Sequence, residues 1–192
     1  MSVDIRSLKK EDIYEFDGFY AIYSTSFPQS EQKSREALML MKDSLEYTVF
    51  IAYYDEKIAG FCIMYHPLND DFFLLEYMAV DATLRGLGVG STLLTQSIQS
   101  LFNTYGTRAL LIEIDSPEKA SHEQQIREKR ELFYRRLGAL KIDPFDYILP
   151  LQTNEEPPPM ELLVYHPTMK VVSKDQLHQW ITKLYVNVLL HR

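Results

Sequence analysis

Cysteine is almost absent: Cys62 stands alone among 192 residues. One thiol excludes an intrachain disulfide framework and any cysteine-based zinc site. The five histidines, His66, His122, His166, His178 and His191, fall at no ligand spacing, so no metal is expected. Basic residues are outnumbered, 20 Lys and Arg against 27 Asp and Glu, for a formal net charge of −7. Phosphate backbones are neutralised by clustered Lys and Arg, so nucleic acid is not an expected partner. A cationic or neutral small substrate suits the balance better. No apolar run approaches the roughly 18 residues of a membrane helix. The opening MSVDIRSLKKEDIYEF carries charge where a secretory leader has an apolar stretch. A cytoplasmic protein with no membrane partner is the expectation. Glycine is also scarce, seven in all, yet three of them stand at 86, 88 and 90.

Hydrophobic residues make up 46% and charged residues 24%, the mix of a soluble globular chain able to bury its own core. No repeat of about 20–50 residues is present, which argues against a solenoid. No composition shift divides the chain, so residues 1–192 read as one domain.

The N-terminal third reads as a strand, Asp4 to Ser7, and two helices. The first covers about Glu11 to Ser24 and is broken by Phe27-Pro28. The second covers about Glu31 to Asp43, with Ser30 as N-cap. YTVFIAYY (47–54) and Lys57 to Tyr65 form a hairpin, and FFLLEYMAV (72–80) is a buried central strand. After the glycines, Val89, Leu93, Leu94, Ile98, Leu101 and Phe102 mark an amphipathic helix, and ALLIEI (109–114) another buried strand. Strand, loop, helix, strand is a βαβ unit, so the strands at 72–80 and 109–114 are expected to be parallel. A polar stretch from Ser116 leads, from about Ile126, into a helix through Leu137, with Gly138 at C′. A strand at Tyr147 to Leu151, a loop at Asn154 to Pro159 and a strand at Met160 to Tyr165 follow. Ser173 to Leu190 is the last helix, with Ser173 and Gln176 at capping-box spacing.

The loop Arg85-Gly86-Leu87-Gly88-Val89-Gly90-Ser91 carries the chemistry. Glycines allow φ > 0 and close backbone approach, and amides at a helix start converge on an anion, most naturally a phosphate. A Walker A loop would need Lys before its Ser or Thr; here Gly90 precedes Ser91. A Rossmann fingerprint has an acidic ribose ligand about 20 residues on, a place Glu113 could fill, but Ser91 stands where its third Gly or Ala belongs. A tight turn without ligand is the bland alternative.

The loop resembles the R/Q-x-x-G-x-G/A acetyl-CoA segment of the Gcn5-related N-acetyltransferases (GNAT). Two features agree. The strand Glu76 to Val80 ends in an aliphatic residue five positions before Arg85. Leu132-Phe133-Tyr134-Arg135-Arg136-Leu137-Gly138 resembles the family's second signature, an aromatic pair before a glycine. The likeness covers about residues 4–150. It implies an α/β (α+β) GNAT fold: a mixed, mostly antiparallel sheet flanked by helices, with two splayed central parallel strands.

It further implies an acetyl-CoA-dependent N-acetyltransferase acting by direct transfer to an amine. Acetyl-CoA is its co-substrate, a small-molecule or peptide amine its partner, and a homodimer is compatible with it. Loop residues Arg85, Gly86, Leu87, Gly88, Val89, Gly90 and Ser91 would hold the pyrophosphate. Met78, Ala79 and Val80 would pair with the pantetheine arm, the amide near Met78 polarising the thioester carbonyl. Tyr134 matches the proton donor to the leaving thiolate. Glu76 resembles the carboxylate of spermidine/spermine-type members and is the candidate base, with Glu113 a second and a structural ion pair the alternative role. A family Asn after the second parallel strand is replaced by Asp115-Ser116-Pro117 and a polar insertion to about Ile126. A non-catalytic acyl-CoA-binding module, or an acyltransferase using another acyl chain or a hydroxyl acceptor, remains the alternative. Cys62 and Trp180 read as core residues.

Overall fold

Aromatic and β-branched residues dominate 47–80, and this stretch folds as consecutive antiparallel strands in the computed structural model, which describes residues 2–117, 124–142 and 160–184. Two compact units divide the chain, Met1–Arg108 and Ala109–Arg192. Among the described residues there are seven strands and five α-helices, a mixed α/β fold with mostly antiparallel strands.

In the first unit β1 (Val3–Ser7) pairs with β2 (Tyr47–Tyr54), β2 with β3 (Lys57–Tyr65), and β3 with β4 (Phe72–Val80), all antiparallel. Asp55 and Glu56 turn the β2–β3 hairpin at φ 48° and 63°, the left-handed pair a two-residue hairpin loop requires. Alternation then sorts the side chains. Val49, Ile51, Phe61 and Ile63 meet Phe16, Phe19 and Tyr23 of α1 (Ile13–Ser26) and Leu38 and Met41 of α2 (Arg35–Asp43). The opposite face meets α3 (Val89–Tyr105). There the Cys62 thiol donates to Ser97 Oγ at 3.3 Å, and the Phe73 and Phe102 rings stack at 6.1 Å.

Strand β4 is irregular. Tyr77 lies opposite Ile63 and Leu75 opposite Met64, so Glu76 is an extra residue, a β-bulge. Leu75 and Phe73 point toward α3, whereas Tyr77 and Ala79 join the α1–α2 core. Glu76 and Tyr77, adjacent in sequence, therefore present their side chains to the same face.

The second helix starts later than the sequence suggests. Residues Gln29–Glu31 form a single 3₁₀ turn, and Ser34, not Ser30, caps α2 by accepting from the Ala37 amide at 3.1 Å. The intervening backbone is drawn off by other groups. Gln32 Nε2 donates to the carbonyls of Ser24 (3.0 Å) and Phe27 (2.6 Å), and the Lys33 amide donates to the Tyr23 hydroxyl at 2.8 Å. Likewise α1 begins at Ile13, because Asp12 turns its carboxylate to the Lys9 amide at 2.8 Å.

In the second unit β5 (Ala109–Asp115) pairs antiparallel with β7 (Met160–Tyr165), and β7 with a two-residue β6 (Leu140–Lys141). Helix α4 (Gln124–Arg136) covers the stretch expected from about Ile126. Helix α5 (Lys174–Leu184) buries Leu177, Trp180, Ile181 and Leu184, and Ser173 accepts from the Gln176 amide at 3.2 Å as its cap. The expected strand at Tyr147 to Leu151, the loop at Asn154 to Pro159 and the last turns of the final helix lie outside the described residues. Among the described residues no helix is long and apolar enough to cross a membrane.

Candidate functional site

At the end of β4 the Asp81 amide donates to the Ala59 carbonyl at 2.8 Å. The Asp81 carboxylate accepts from the Thr83 amide (2.8 Å) and hydroxyl (2.6 Å), which fixes the 3₁₀ turn Ala82–Leu84 and holds its carboxyl below the usual range. Arg85 is exposed, and its Nε donates back to the Val80 carbonyl at 3.4 Å. Gly86 and Gly88 both have φ of 83°, and a Cβ built on either would meet nothing within 4 Å. The loop is thus left-handed at two positions and open above them. Gly90, the third glycine, lies in the first turn of α3 without positive φ. The first helical bond of α3 runs from the Thr92 amide to the Gly88 carbonyl at 3.1 Å. By helix geometry, the amides of Val89, Gly90 and Ser91 have no partner inside the helix. The first turn of this 17-residue helix carries no acidic residue. Buried Val89 anchors it while Leu87 is exposed. Such a terminus with an open glycine cradle suits a phosphate-bearing ligand.

The bulge in β4 carries Glu76, the candidate base. The Glu76 side chain is only 1% exposed, and its Oε1 lies 3.6 Å from Lys33 Nζ, itself 15% exposed. The Tyr77 hydroxyl donates to the Glu31 carbonyl at 2.9 Å. The rings of Tyr23, Phe27 and Tyr77 lie 5.1–5.4 Å apart around this point. Burial pushes the Tyr23 phenol up, and the nearby Glu76 charge adds to the effect. Met78 stands opposite Cys62 and Val80 opposite Gly60. A Cβ at Gly60 would sit 2.7 Å from the Ala79 carbonyl oxygen, so this glycine is what lets β3 approach the end of β4. Cys62 itself is fully buried and its thiol is pushed up to about 12, which fits a core residue and not a nucleophile.

Tyr134 lies in the second unit, in the last turn of α4, and is the buried residue of that helix. The glycine of the second motif explains its setting. Gly138 has φ of 98°, its amide donates to the Arg135 carbonyl at 3.0 Å, and the Ala139 amide donates to the Tyr134 carbonyl at 3.1 Å. This Schellman ending stops the helix one turn after the tyrosine. The Phe133 ring lies edge-on to it at 5.1 Å. Glu113 sits on β5, opposite Leu162.

The model of the acetyltransferase (GNAT) family matches residues 16–124, which include the strand, the glycine loop and α3. The chain belongs to the GNAT family. Solved GNAT structures share its fold. One from Bacteroides thetaiotaomicron has a TM-score of 0.74 at 21% identity, over 96% of this chain and 97% of that one. The ribosomal-protein-S18-alanine N-acetyltransferase of Escherichia coli has a TM-score of 0.62 at 21% identity, over 91% and 98%. An aminoglycoside 6′-N-acetyltransferase complexed with coenzyme A has a TM-score of 0.69 at 14% identity, over 88% and 99%. No curated protein matches the sequence.

Within this GNAT chain, one stretch of β4, loop and α3 carries Glu76, Met78, Ala79, Val80 and the residues 85–91. Tyr134 and Glu113 belong to the second unit. Lys33, Tyr23 and Tyr77 were not singled out from the sequence. The aromatic richness of residues 14–27 was the available signal, but only folding back on β4 brings it to Glu76.

Proposed function

We propose that the chain is an acetyl-CoA-dependent N-acetyltransferase that moves the acetyl group directly to an amine. The open left-handed cradle at Gly86 and Gly88, continuous with the amides of α3, carries this reading. The amides of Leu87 to Ser91 hold the pyrophosphate, and the edge of β4 at Met78, Ala79 and Val80 holds the pantetheine arm. The amide near Met78 faces the carbonyl oxygen on which charge develops. Tyr134 supplies a proton to the leaving sulfur, and Glu76 takes one from the incoming ammonium. Glu76 shares its carboxylate with Lys33, so an acceptor ammonium competes with an internal one. The net charge of −7 favours a cationic acceptor. Two structural neighbours are named for amine acceptors, an aminoglycoside and a ribosomal-protein alanine, which supports nitrogen as the acceptor atom.

The test is thiol release from acetyl-CoA with a polyamine, an aminoglycoside and peptides as acceptors. Amine-dependent release supports the reading. Tight coenzyme A binding with no release for any amine would instead make the chain an acyl-CoA-binding module.

A further inference from the structure

A primary amine is already built into the bulge face. Lys33 Nζ stands 3.6 Å from Glu76 Oε1, on the strand that presents Met78 two residues later. Its backbone has little freedom. The Lys33 amide is tied to Tyr23, the side chain of Gln32 to Ser24 and Phe27, and the Glu31 carbonyl to Tyr77. Other lysines with described partners serve the scaffold. Lys42 Nζ donates to the carbonyls of Lys9 and Lys10 and pairs with Asp43, while Lys141 bridges Glu131 and Glu161. Lys33 is the lysine whose carboxylate partner lies on β4.

We infer that Lys33 is an internal acceptor, and that the chain acetylates its own Lys33 Nζ from bound acetyl-CoA. The inference rests on the acetyl-CoA reading above. The Lys33 ammonium gives one proton to Glu76. The freed amine forms a bond to the thioester carbonyl carbon, and the carbon–sulfur bond breaks. The second proton leaves the nitrogen for the departing thiolate. The products are Nε-acetyl-Lys33 and coenzyme A, with one proton passed from Glu76 to water. No oxidant or further co-reactant is needed. The tethered backbone gives the amine a high effective concentration, the advantage that positioned reactants hold over free ones. Acetylation also removes the cation that faces Glu76.

The experiment incubates the purified full-length chain with acetyl-CoA and no added amine, and follows intact mass and peptide mapping. Coenzyme A affinity is measured in parallel by calorimetry. The expected result is one acetyl group, on Lys33, appearing about 10²-fold or more faster than on the exposed Lys57. Lys33→Arg keeps a cation beside Glu76 and should bind coenzyme A as before, yet lose the fast mark. Glu76→Gln should slow the mark. Gly88→Val should weaken coenzyme A binding and slow the mark together. Normal coenzyme A affinity with Lys33 unmodified, or modified no faster than Lys57, overturns the inference and leaves the proposed function standing. Failure to bind coenzyme A at all overturns the proposed function itself.

Discussion

Gly88 shows how one residue can be replaced without collision and still fail. Nothing in the protein lies within 4 Å of a Cβ there, so the obstacle to a side chain is the φ of 83°. A left-handed non-glycine residue costs about 1–2 kcal/mol, and a β-branched one more. Gly88→Val should therefore weaken coenzyme A binding by about tenfold or more, since 1.4 kcal/mol is a factor of ten. Calorimetry on the folded variant checks this, and unchanged affinity would remove the loop from the site. Gly90→Ala is the matched control, because Gly90 has helical geometry and alanine is the better helix former. At Tyr134 the relevant group is a single hydroxyl. Phenols titrate near pH 10, so at neutral pH it can donate a proton. Tyr134→Phe keeps the ring and the Schellman ending, and should keep both fold and coenzyme A affinity. Turnover on an identified acceptor should fall by about 10²–10⁴-fold, the usual worth of a positioned acid. Phe133→Leu, on the neighbouring half-buried ring, should lower the melting temperature more than it lowers turnover. Full activity in Tyr134→Phe would reduce Tyr134 to a core aromatic.

Among the elements, the segment between α1 and α2 is held by side chains and not by its own backbone ladder. Tyr77 makes one of the ties, to the Glu31 carbonyl. Tyr77→Phe removes that hydrogen bond and preserves the ring contacts, a loss of about 0.5–1.5 kcal/mol. Amide exchange should rise selectively over residues 28–34, with β2 and β3 unchanged. Uniform protection across all of these would show that the tie is dispensable. The same segment marks the limit of what the sequence revealed. Strands β2, β3, β4 and helix α3 were legible because apolar runs, an Asp-Glu turn and clustered glycines each have one local solution. Ser30 and Ser34 are both competent caps, and the choice is made by the ties of Gln32 to Ser24 and Phe27 and of Lys33 to Tyr23. The bulge was hidden because FFLLEYMAV is apolar almost throughout, so no alternation exposes a slipped register. Lys33 escaped notice for the same reason: its importance is a tertiary fact. Two-residue β6 exists only as a partner for β7 and has no signal of its own. The Tyr134 motif, by contrast, was readable in local terms, since its glycine ends the helix.

For the molecule as a whole, stability should depend on pH through His66. Its ring is 1% exposed, stacks on Tyr105 at 4.5 Å and meets Thr48 Oγ1 with Nε2 at 2.9 Å. Burial lowers its pKa, Arg108 lowers it further, and Glu46 acts in the opposite sense. The folded chain thus resists a proton that the unfolded chain accepts near pH 6.5. Stability from this group is complete above about pH 6.5 and is lost as pH falls below it, toward the lower folded value, with a slope of at most about 1.4 kcal/mol per pH unit. Urea unfolding between pH 7.5 and 5 should show this loss in the parent chain and a flatter profile in His66→Gln. Parallel profiles would assign the acid sensitivity to other groups.

The extra residue in β4 also acts as a change of parity. Before it, odd-numbered residues such as Phe73 and Leu75 look toward α3; after it, odd-numbered Tyr77 and Ala79 look toward α1 and α2. A mutational scan of this strand would therefore read in two frames, odd positions probing the α3 face before Glu76 and the α1–α2 face after it. Deleting Glu76 would restore a single frame, with Leu75 still opposite Met64 and Tyr77 still opposite Ile63, so Met78 and Val80 would keep their side and only the carboxylate would be lost. The strand's arithmetic, as much as its chemistry, makes room for the Glu76 carboxylate on the face that carries Tyr77.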